Sequence, residues 1–275
     1  MSSQRRSGPL IELLETLDRA PDGTRPVLLL HRAGGSSRDW KAQVEAVGRV
    51  RRVIAPDLPG HGRSPGPALT EVVEMAKAVA ELIERLELHG VVVVGHSMGG
   101  AVALELALSW PHLVAGLVLV ASGARLHVAR QLTEAFRSRP DLVRDLAART
   151  LFSPRTPRAL VEAEIPVLFD APLEVVLSDL EACHRFDVEP RLGDLSVPVT
   201  VIAGTDDVLT SVRLGRRVVE RVPTGRLRVV TGAGHMIPQE APGVVNEEIL
   251  SASGAVPVCD ARVDAGGSGG PEGQR

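Results

Sequence analysis

Four valines at positions 91–94 limit the fold of this 275-residue chain more than any other feature. The stretch VVVVGHSMGG (91–100) begins with no apolar–polar alternation, so both faces of the strand it forms need cover. That is the pattern of a parallel sheet with helices packed on each side. The residues that follow, AVALELALSW (101–110), are good helix formers with apolar positions at helical spacing. Ser97 therefore stands on a sharp turn from strand to helix. Gly95 and Gly99 flank it, and without Cβ atoms they let the turn close against its neighbours. A serine in a Gly-x-Ser-x-Gly turn of this kind has its hydroxyl raised above the sheet beside a helix N-terminus. A glycine-rich turn with Ser97 as a plain helix N-cap uses the same letters. The strand before, the helix after and the further Gly100 favour a nucleophile.

The same alternation runs through most of the chain. PVLLLH (26–31), RRVIAPD (51–57), VVVVG (91–95), GLVLVA (116–121), PVTVIAG (198–204) and GRLRVVTG (225–232) read as strands. SRDWKAQVEAVG (37–48), TEVVEMAKAVAELIERLEL (70–88), the helix after Ser97 and SVRLGRRVVERV (211–222) lie between them. Strand and helix in turn predict a mostly parallel sheet with right-handed crossovers, an α/β fold. Residues 123–192 break the rhythm. They are helical throughout, as in LTEAFRSRPDLVRDLAARTLF and PLEVVLSDLEAC, and read as a helical insertion between two strands. The core is then 1–122 and 193–253. Near the start, Leu10, Leu13, Leu14 and Leu17 fit one helical face, while the same segment also suits a hairpin turning at Asp22-Gly23. The last stretch, 254–275, is rich in glycine and poor in large apolar residues, and is expected to be disordered.

Composition narrows the functional classes. A formal net charge of -3 offers no attraction to nucleic acid or to anionic membrane. Aromatic residues make up 2% and tyrosine is absent, which argues against a stacking surface for bases or sugars. The two cysteines, Cys183 and Cys259, follow no metal or disulfide spacing, and point to a reduced, cytoplasmic protein. The N-terminal MSSQRRSGPL lacks the apolar stretch of a signal peptide, and no run of about 18 apolar residues predicts a membrane span.

A serine hydroxyl is a weak nucleophile unless a base takes its proton, and histidine titrates near neutrality. Of the eight histidines, His235 in VVTGAGHMIPQE is best placed, on a loop that follows a strand. Loops after parallel strands open on the same edge of the sheet as Ser97. VIAGTDDVLT offers two carboxylates to orient the imidazole, Asp206 and Asp207, of which one could instead be a helix N-terminal charge. The order Ser, Asp, His suits this architecture. Backbone N–H donors for an oxyanion are expected from Met98, at the start of its helix, and from HRAGGSSRDW, where Gly34 and Gly35 permit unusual backbone.

From about Pro26 to Leu250 these pieces resemble the α/β-hydrolase family, in its branch of small lid-bearing serine esterases. LLLHRAGGSSRDW resembles the family's oxyanion loop, and VIAPDLPGHGRS (53–64) its Asp-x-x-Gly-x-Gly-x-Ser segment. VGHSMGG resembles its nucleophile elbow, IAGTDDVLT its acid loop and GAGHMIPQEAP its histidine loop. The resemblance implies Ser97, Asp207 and His235 as a catalytic triad, Asp207 being three residues past the strand-ending Gly204. It implies Ala33 and Met98 as oxyanion donors, and residues 123–192 as a lid. It makes Asp57, His61, Gly62 and Arg63 architectural, with His96 packing against neighbouring loops. One departure stands out: the family has glycine where this chain has Arg32. Either Arg32 distorts the loop so that the Ala33 N–H misses the oxyanion, or its side chain lines the pocket mouth and favours anionic substrates.

The expected activity is hydrolysis of a small ester or related acyl compound through an acyl-enzyme, carboxylesterase-like, with no metal or organic cofactor. The acyl donor could also be an amide, a thioester or an activated C–C bond. Hydrogen peroxide as acceptor, in the manner of cofactor-free perhydrolases and haloperoxidases, is a second reading. A non-catalytic ligand-binding protein with a degraded site is a third, motivated by Arg32. The expected partner is a small-molecule acyl substrate, and neither the substrate nor the oligomeric state is written in the sequence.

Overall fold

The apolar runs become the middle of a single sheet. In the computed structural model, which describes residues 13–16, 23–168 and 171–254, the strands are β1 (Leu13–Glu15), β2 (Val27–Leu30), β3 (Val53–Pro56), β4 (Val91–His96), β5 (Val114–Val120), β6 (Val199–Gly204) and β7 (Gly225–Val230). They lie in the spatial order β1-β3-β2-β4-β5-β6-β7. Only β1 is antiparallel to its neighbour; the other pairings are parallel. The sheet carries helices α1 (Lys41–Val47), α2 (Val72–Arg85) and α3 (Met98–Ser109) in its first half. Between β5 and β6 come α4 (Arg130–Ser138), α5 (Pro140–Leu151), α6 (Arg158–Leu168) and α7 (Leu173–Arg185). Helices α8 (Val212–Val219), α9 (Ile237–Glu240) and α10 (Pro242–Ala252) complete the chain.

The four valines show why the run has no polar alternation. Val91 and Val93 pack with Leu28 and Leu30 beneath α2 and α3. Val92 and Val94 pack with Val27, Leu29, Val118, Val120 and Ile202 beneath α1 and α10. All four are fully buried, each stabilising the fold by about 1.5–3 kcal/mol. Helix α2 is one-sided, burying Val72, Met75, Ala76, Val79, Leu82 and Ile83 while Glu74, Lys77, Glu81 and Glu84 face solvent. Helix α3 is buried all round from Met98 to Ala107, so it can be apolar on every face. The outer strand β7 is guarded by charge: Arg226 pairs with Glu248 of α10.

Two expectations need correction. Leu13 and Leu14 lie in a strand paired with β3, so the helical reading fails there; Leu10 and Leu17 lie outside the described residues. The hairpin reading fails too, because β1 and β2 are separated in the sheet by β3. The stretch read as helical across 132–152 is helical, in two pieces, α4 and α5. Arg139 leaves helical geometry (φ −146, ψ 63) ahead of Pro140, and a residue before proline is disfavoured in the helical region. Cys259 and the tail from 255 on lie outside the described residues. The ends of the helical stretch meet where Val188 N donates to Ala124 O at 2.9 Å, so α4–α7 leave and rejoin the sheet at one neck.

Helix α3 approaches the carboxyl end of β2 so closely that a Cβ on Gly99 would lie 2.2 Å from Leu30 O. Gly99→Ala is therefore expected to lower stability by about 3 kcal/mol, the upper range for overpacking, measured by urea denaturation. Gly193→Ala, with nothing within 4 Å of the added carbon, should change stability by less than about 0.5 kcal/mol.

Candidate active site

Ser97 joins β4 to α3 with φ 54 and ψ −115, a backbone conformation that L-residues rarely adopt. The surroundings hold it there. Its N–H donates to Val120 O at 2.9 Å, and Ser122 Oγ donates to Ser97 O at 2.8 Å. A Cβ on Gly95 would meet Gly99 O at 2.2 Å, and one on Gly100 would meet Ser122 Oγ at 2.4 Å, so the turn is tight on every side. Strain of this size, about 1–3 kcal/mol, persists where the neighbours over-determine it and clusters at functional sites. Ser97 is half-buried.

The acid loop leaves β6 on the same sheet edge. Asp207 is buried, and its Oδ2 accepts from His235 Nδ1 at 3.0 Å and from Thr210 Oγ1 at 2.5 Å. Its Oδ1 accepts from the Leu209 and Thr210 N–H groups at 2.8 and 2.9 Å. Burial alone would raise the Asp207 pKa, but the His235 charge and these hydrogen bonds outweigh it and hold the carboxyl well below its ordinary range. Thr210 Oγ1 also lies 3.1 Å from His235 Nδ1, making Thr210 a member of the cluster that sequence reasoning missed. Its signal was present: a hydroxyl three residues after an aspartate is placed to close a local turn.

Asp206 faces the other way and is no helix N-terminal charge. Its Oδ2 accepts from Ser153 Oγ at 2.7 Å, a bond that lowers its pKa. His235 is held from below by α5, since its N–H and that of Met236 both donate to Leu151 O, at 2.8 and 3.1 Å. His96 Nε2 lies 2.9 Å from His235 O, tying the strand end beside Ser97 to the histidine loop. Burial, then His235, keep His96 well below its ordinary pKa, so it is neutral and donates from Nε2. In this resting geometry Ser97 Oγ makes no hydrogen bond to His235, an arrangement common before substrate binds.

The loop after β2 is shaped by Gly34 and Gly35 for different reasons. Gly34 has φ +61, whereas a Cβ on Gly35 would strike Asp39 Oδ2 at 2.1 Å. Arg32 is not in the left-handed region; the non-glycine residues there are Glu87, Ser97 and Ala121 among the described residues. The backbone strain expected of an arginine at this place is thus absent. Its side chain is largely buried and lines the edge of a cavity, with Nε 3.3 Å from Asp39 Oδ2 and Nη1 donating to Ala33 O at 2.9 Å. Burial raises the Asp39 pKa and Arg32 opposes it. No protein group accepts from the N–H of Ala33 or of Met98 among the described residues.

Asp57 is architectural: Oδ1 accepts from Ser37 N at 2.7 Å and Oδ2 from Arg63 N at 3.0 Å. His31 braces the same two loops, with Nδ1 donating to Arg32 O at 2.8 Å and Nε2 accepting from Leu58 N at 3.0 Å. Burial, and then His61, hold His31 well below its ordinary pKa, which fits this neutral tautomer. A cavity of about 170 Å³ opens beside Arg32, Ala33 and Gly34. Its other walls are mainly apolar and include Leu132, Phe136 and Val143, with Val176 and Leu209. Among the described residues no cluster of His, Cys, Asp and Glu could hold a metal ion, and no helix is long and apolar enough to cross a membrane. Cys183 is buried and unpaired, its thiol pKa pushed up by burial and by Asp179.

The chain as a whole is similar to known proteins. The profile of the alpha/beta hydrolase family matches residues 27–248. A relative from Azorhizobium caulinodans that bears the name carbamate hydrolase RutD is 30% identical over 84% of this chain and 92% of its own length. The solved structure of a thermophilic esterase from Thermogutta terrifontis is 28% identical, with a TM-score of 0.77 over 87% of this chain and 91% of that one. A bromoperoxidase from Bacillus anthracis superposes with a TM-score of 0.79 over 88% of this chain and 94% of its own, at 20% identity, a likeness of fold.

The buried Arg32–Asp39 pair gives a prediction opposite to one of a damaged loop. Arg32→Gly should leave Asp39 uncompensated, lowering stability by about 3–5 kcal/mol and leaving kcat on neutral esters no higher than in the parent. The deficit should be largest at alkaline pH and shrink as pH falls, because the buried Asp39 carboxyl, already raised from its ordinary value, then takes up a proton. Denaturant midpoints across pH and esterase assays check both parts.

Proposed function

This chain belongs to the alpha/beta hydrolase family and is a hydrolase of that fold, and from that premise we propose that it is a serine esterase working through an acyl-enzyme. Ser97 Oγ attacks the acyl carbonyl carbon as His235 Nε2 takes its proton. The carbonyl oxygen becomes an oxyanion that accepts from the N–H groups of Ala33 and Met98. The intermediate collapses, the alcohol leaves with the proton from His235, and Ser97 carries the acyl group. Water, deprotonated by His235, attacks that ester and releases the acid. Asp207 holds the Nδ1–H tautomer and stabilises the imidazolium formed at each step.

The observation that carries this reading is the strained backbone of Ser97 at a sheet edge that also carries the Asp207–His235 pair. A plain N-cap has extended backbone and a side chain bonded to its helix; Ser97 has neither. The wholly hydrogen-bonded Asp207 supports its role as the ionised orienting group, and Asp206 is already engaged by Ser153. The unstrained Arg32 gives the non-catalytic reading no support. The apolar cavity of about 170 Å³ favours a short uncharged acyl group, and residues 123–192 act as the lid that walls it. A cytoplasmic location belongs to the same reading, with Cys183 kept reduced.

Two substitutions test it. Ser97→Ala should abolish fluorophosphonate labelling and lower kcat on p-nitrophenyl butyrate by about 10⁴-fold or more. Turnover above a tenth of the parent's, with contaminating esterases excluded, would refute the assignment. Asp207→Asn should cost about 10³- to 10⁴-fold in kcat. Asp206→Asn should cost far less in kcat, while lowering thermal stability modestly, because the amide keeps only one of the two oxygens that accept from Ser153 and Thr205.

A further inference from the structure

Resting on the esterase reading, we propose that Asp179, on α7, is a positioning residue for the oxyanion loop, holding the Ala33 N–H in the direction an oxyanion requires. Asp179 is fully buried, and its Oδ2 accepts from Gly34 N at 2.6 Å and from His61 Nε2 at 2.8 Å. A carboxylate has thus been taken into the interior to bond a backbone N–H 145 positions away in sequence. Its other oxygen, Oδ1, has no hydrogen-bond partner although it too is buried. An arrangement this costly to desolvate is a poor device for stability alone.

The consequence falls on Ala33. Two peptide planes flank that residue, and together they decide where its N–H points. In the plane before it, Arg32 O accepts from His31 Nδ1 at 2.8 Å and from Gly35 N at 3.0 Å. In the plane after it, Ala33 O accepts from Arg32 Nη1 at 2.9 Å and Gly34 N donates to Asp179. Among the described residues, Asp179 makes the one hydrogen bond to this frame that comes from the helical insertion. Val176 presses on the same place, since a Cβ on Gly34 would lie 3.0 Å from Val176 Cγ2. Helix α7 therefore clamps Gly34 by one hydrogen bond and one apolar contact. His61 completes the clamp: burial alone would lower its pKa, but the Asp179 carboxylate outweighs burial and raises it. This gives His61 a task that neither proton transfer at Ser97 nor the turn after β3 requires.

The test uses the full-length protein, p-nitrophenyl butyrate, and an alkyl trifluoromethyl ketone, whose adduct with a serine carries an oxyanion. Asp179→Ala should lower kcat by about tenfold or more, the lower range for loss of an oxyanion donor, with KM changed less than about threefold. The inhibition constant of the ketone should rise by the factor by which kcat/KM falls, which a merely structural role would not produce. Asp179→Asn, with its amide oxygen in the place of Oδ2, can still accept from Gly34 N–H and from His61 Nε2–H, so it should restore kcat to within about threefold of the parent. If Asp179→Ala fails to fold, His61→Leu/Asp179→Leu removes both buried partners without leaving a charge unpaired and must show the same loss of kcat and ketone affinity. Folded variants with kcat and ketone affinity within twofold of the parent would overturn the assignment of Asp179. A parent protein that fluorophosphonate does not label at Ser97 would overturn the esterase reading and this assignment together, so the two failures are told apart.

Discussion

The whole site depends on one backbone contact, the approach of the first turn of α3 to the carboxyl end of β2. It is closer than any side chain would permit. A methyl group on Gly99 would overlap Leu30 O and His31 O, and one on Gly95 would overlap Gly99 O. Because β4 and α3 are squeezed together there, Ser97 is forced to the crest of the turn with positive φ. The same contact brings the start of α3 against the backbone of Leu30 and His31, where the loop after β2 begins. The strand order then brings the acid and histidine loops to this edge, since β6 and β7 run parallel to β4.

Much of this was legible in the sequence because it is local. A buried parallel strand must be apolar on both faces, and 91–94 say so residue by residue. The loops bearing Asp207 and His235 follow strands whose apolar runs are equally plain, so their meeting at one edge follows from topology. The architectural reading of Asp57 comes from the family resemblance instead, and its partners are the N–H groups of Ser37 and Arg63. The N-terminal strand was not legible, because three residues are too few for periodicity to separate helix from strand.

What the sequence hid are contacts between distant segments. Nothing near Asp179 signals that its carboxylate reaches Gly34, because a lone aspartate on an amphipathic helix normally faces water. Arg32 misled in a more instructive way. An arginine in place of a glycine suggests a backbone problem, yet this residue keeps ordinary φ and solves a side-chain problem, the burial of Asp39. The demand for glycine is met at Gly34 instead, where φ is +61.

The anchoring of the histidine loop has a mechanical side. Besides the bonds from His235 and Met236 to Leu151, the carboxylate of Glu240 accepts from the N–H groups of Gly234 and Ser153, at 2.8 and 2.7 Å, and from Thr156 Oγ1. The chain just after α5 and the base of the site are thus riveted together at several points. The insertion is then not one movable flap. Its stretch from 151 to 156 is tied to the histidine loop, while α7 is tied separately to Gly34 and His61 through Asp179. An exchange of the insertion between relatives, made to graft a new specificity, would carry away part of the bearing on which the imidazole turns. A graft that kept residues 151–156 of this chain would leave that bearing in place.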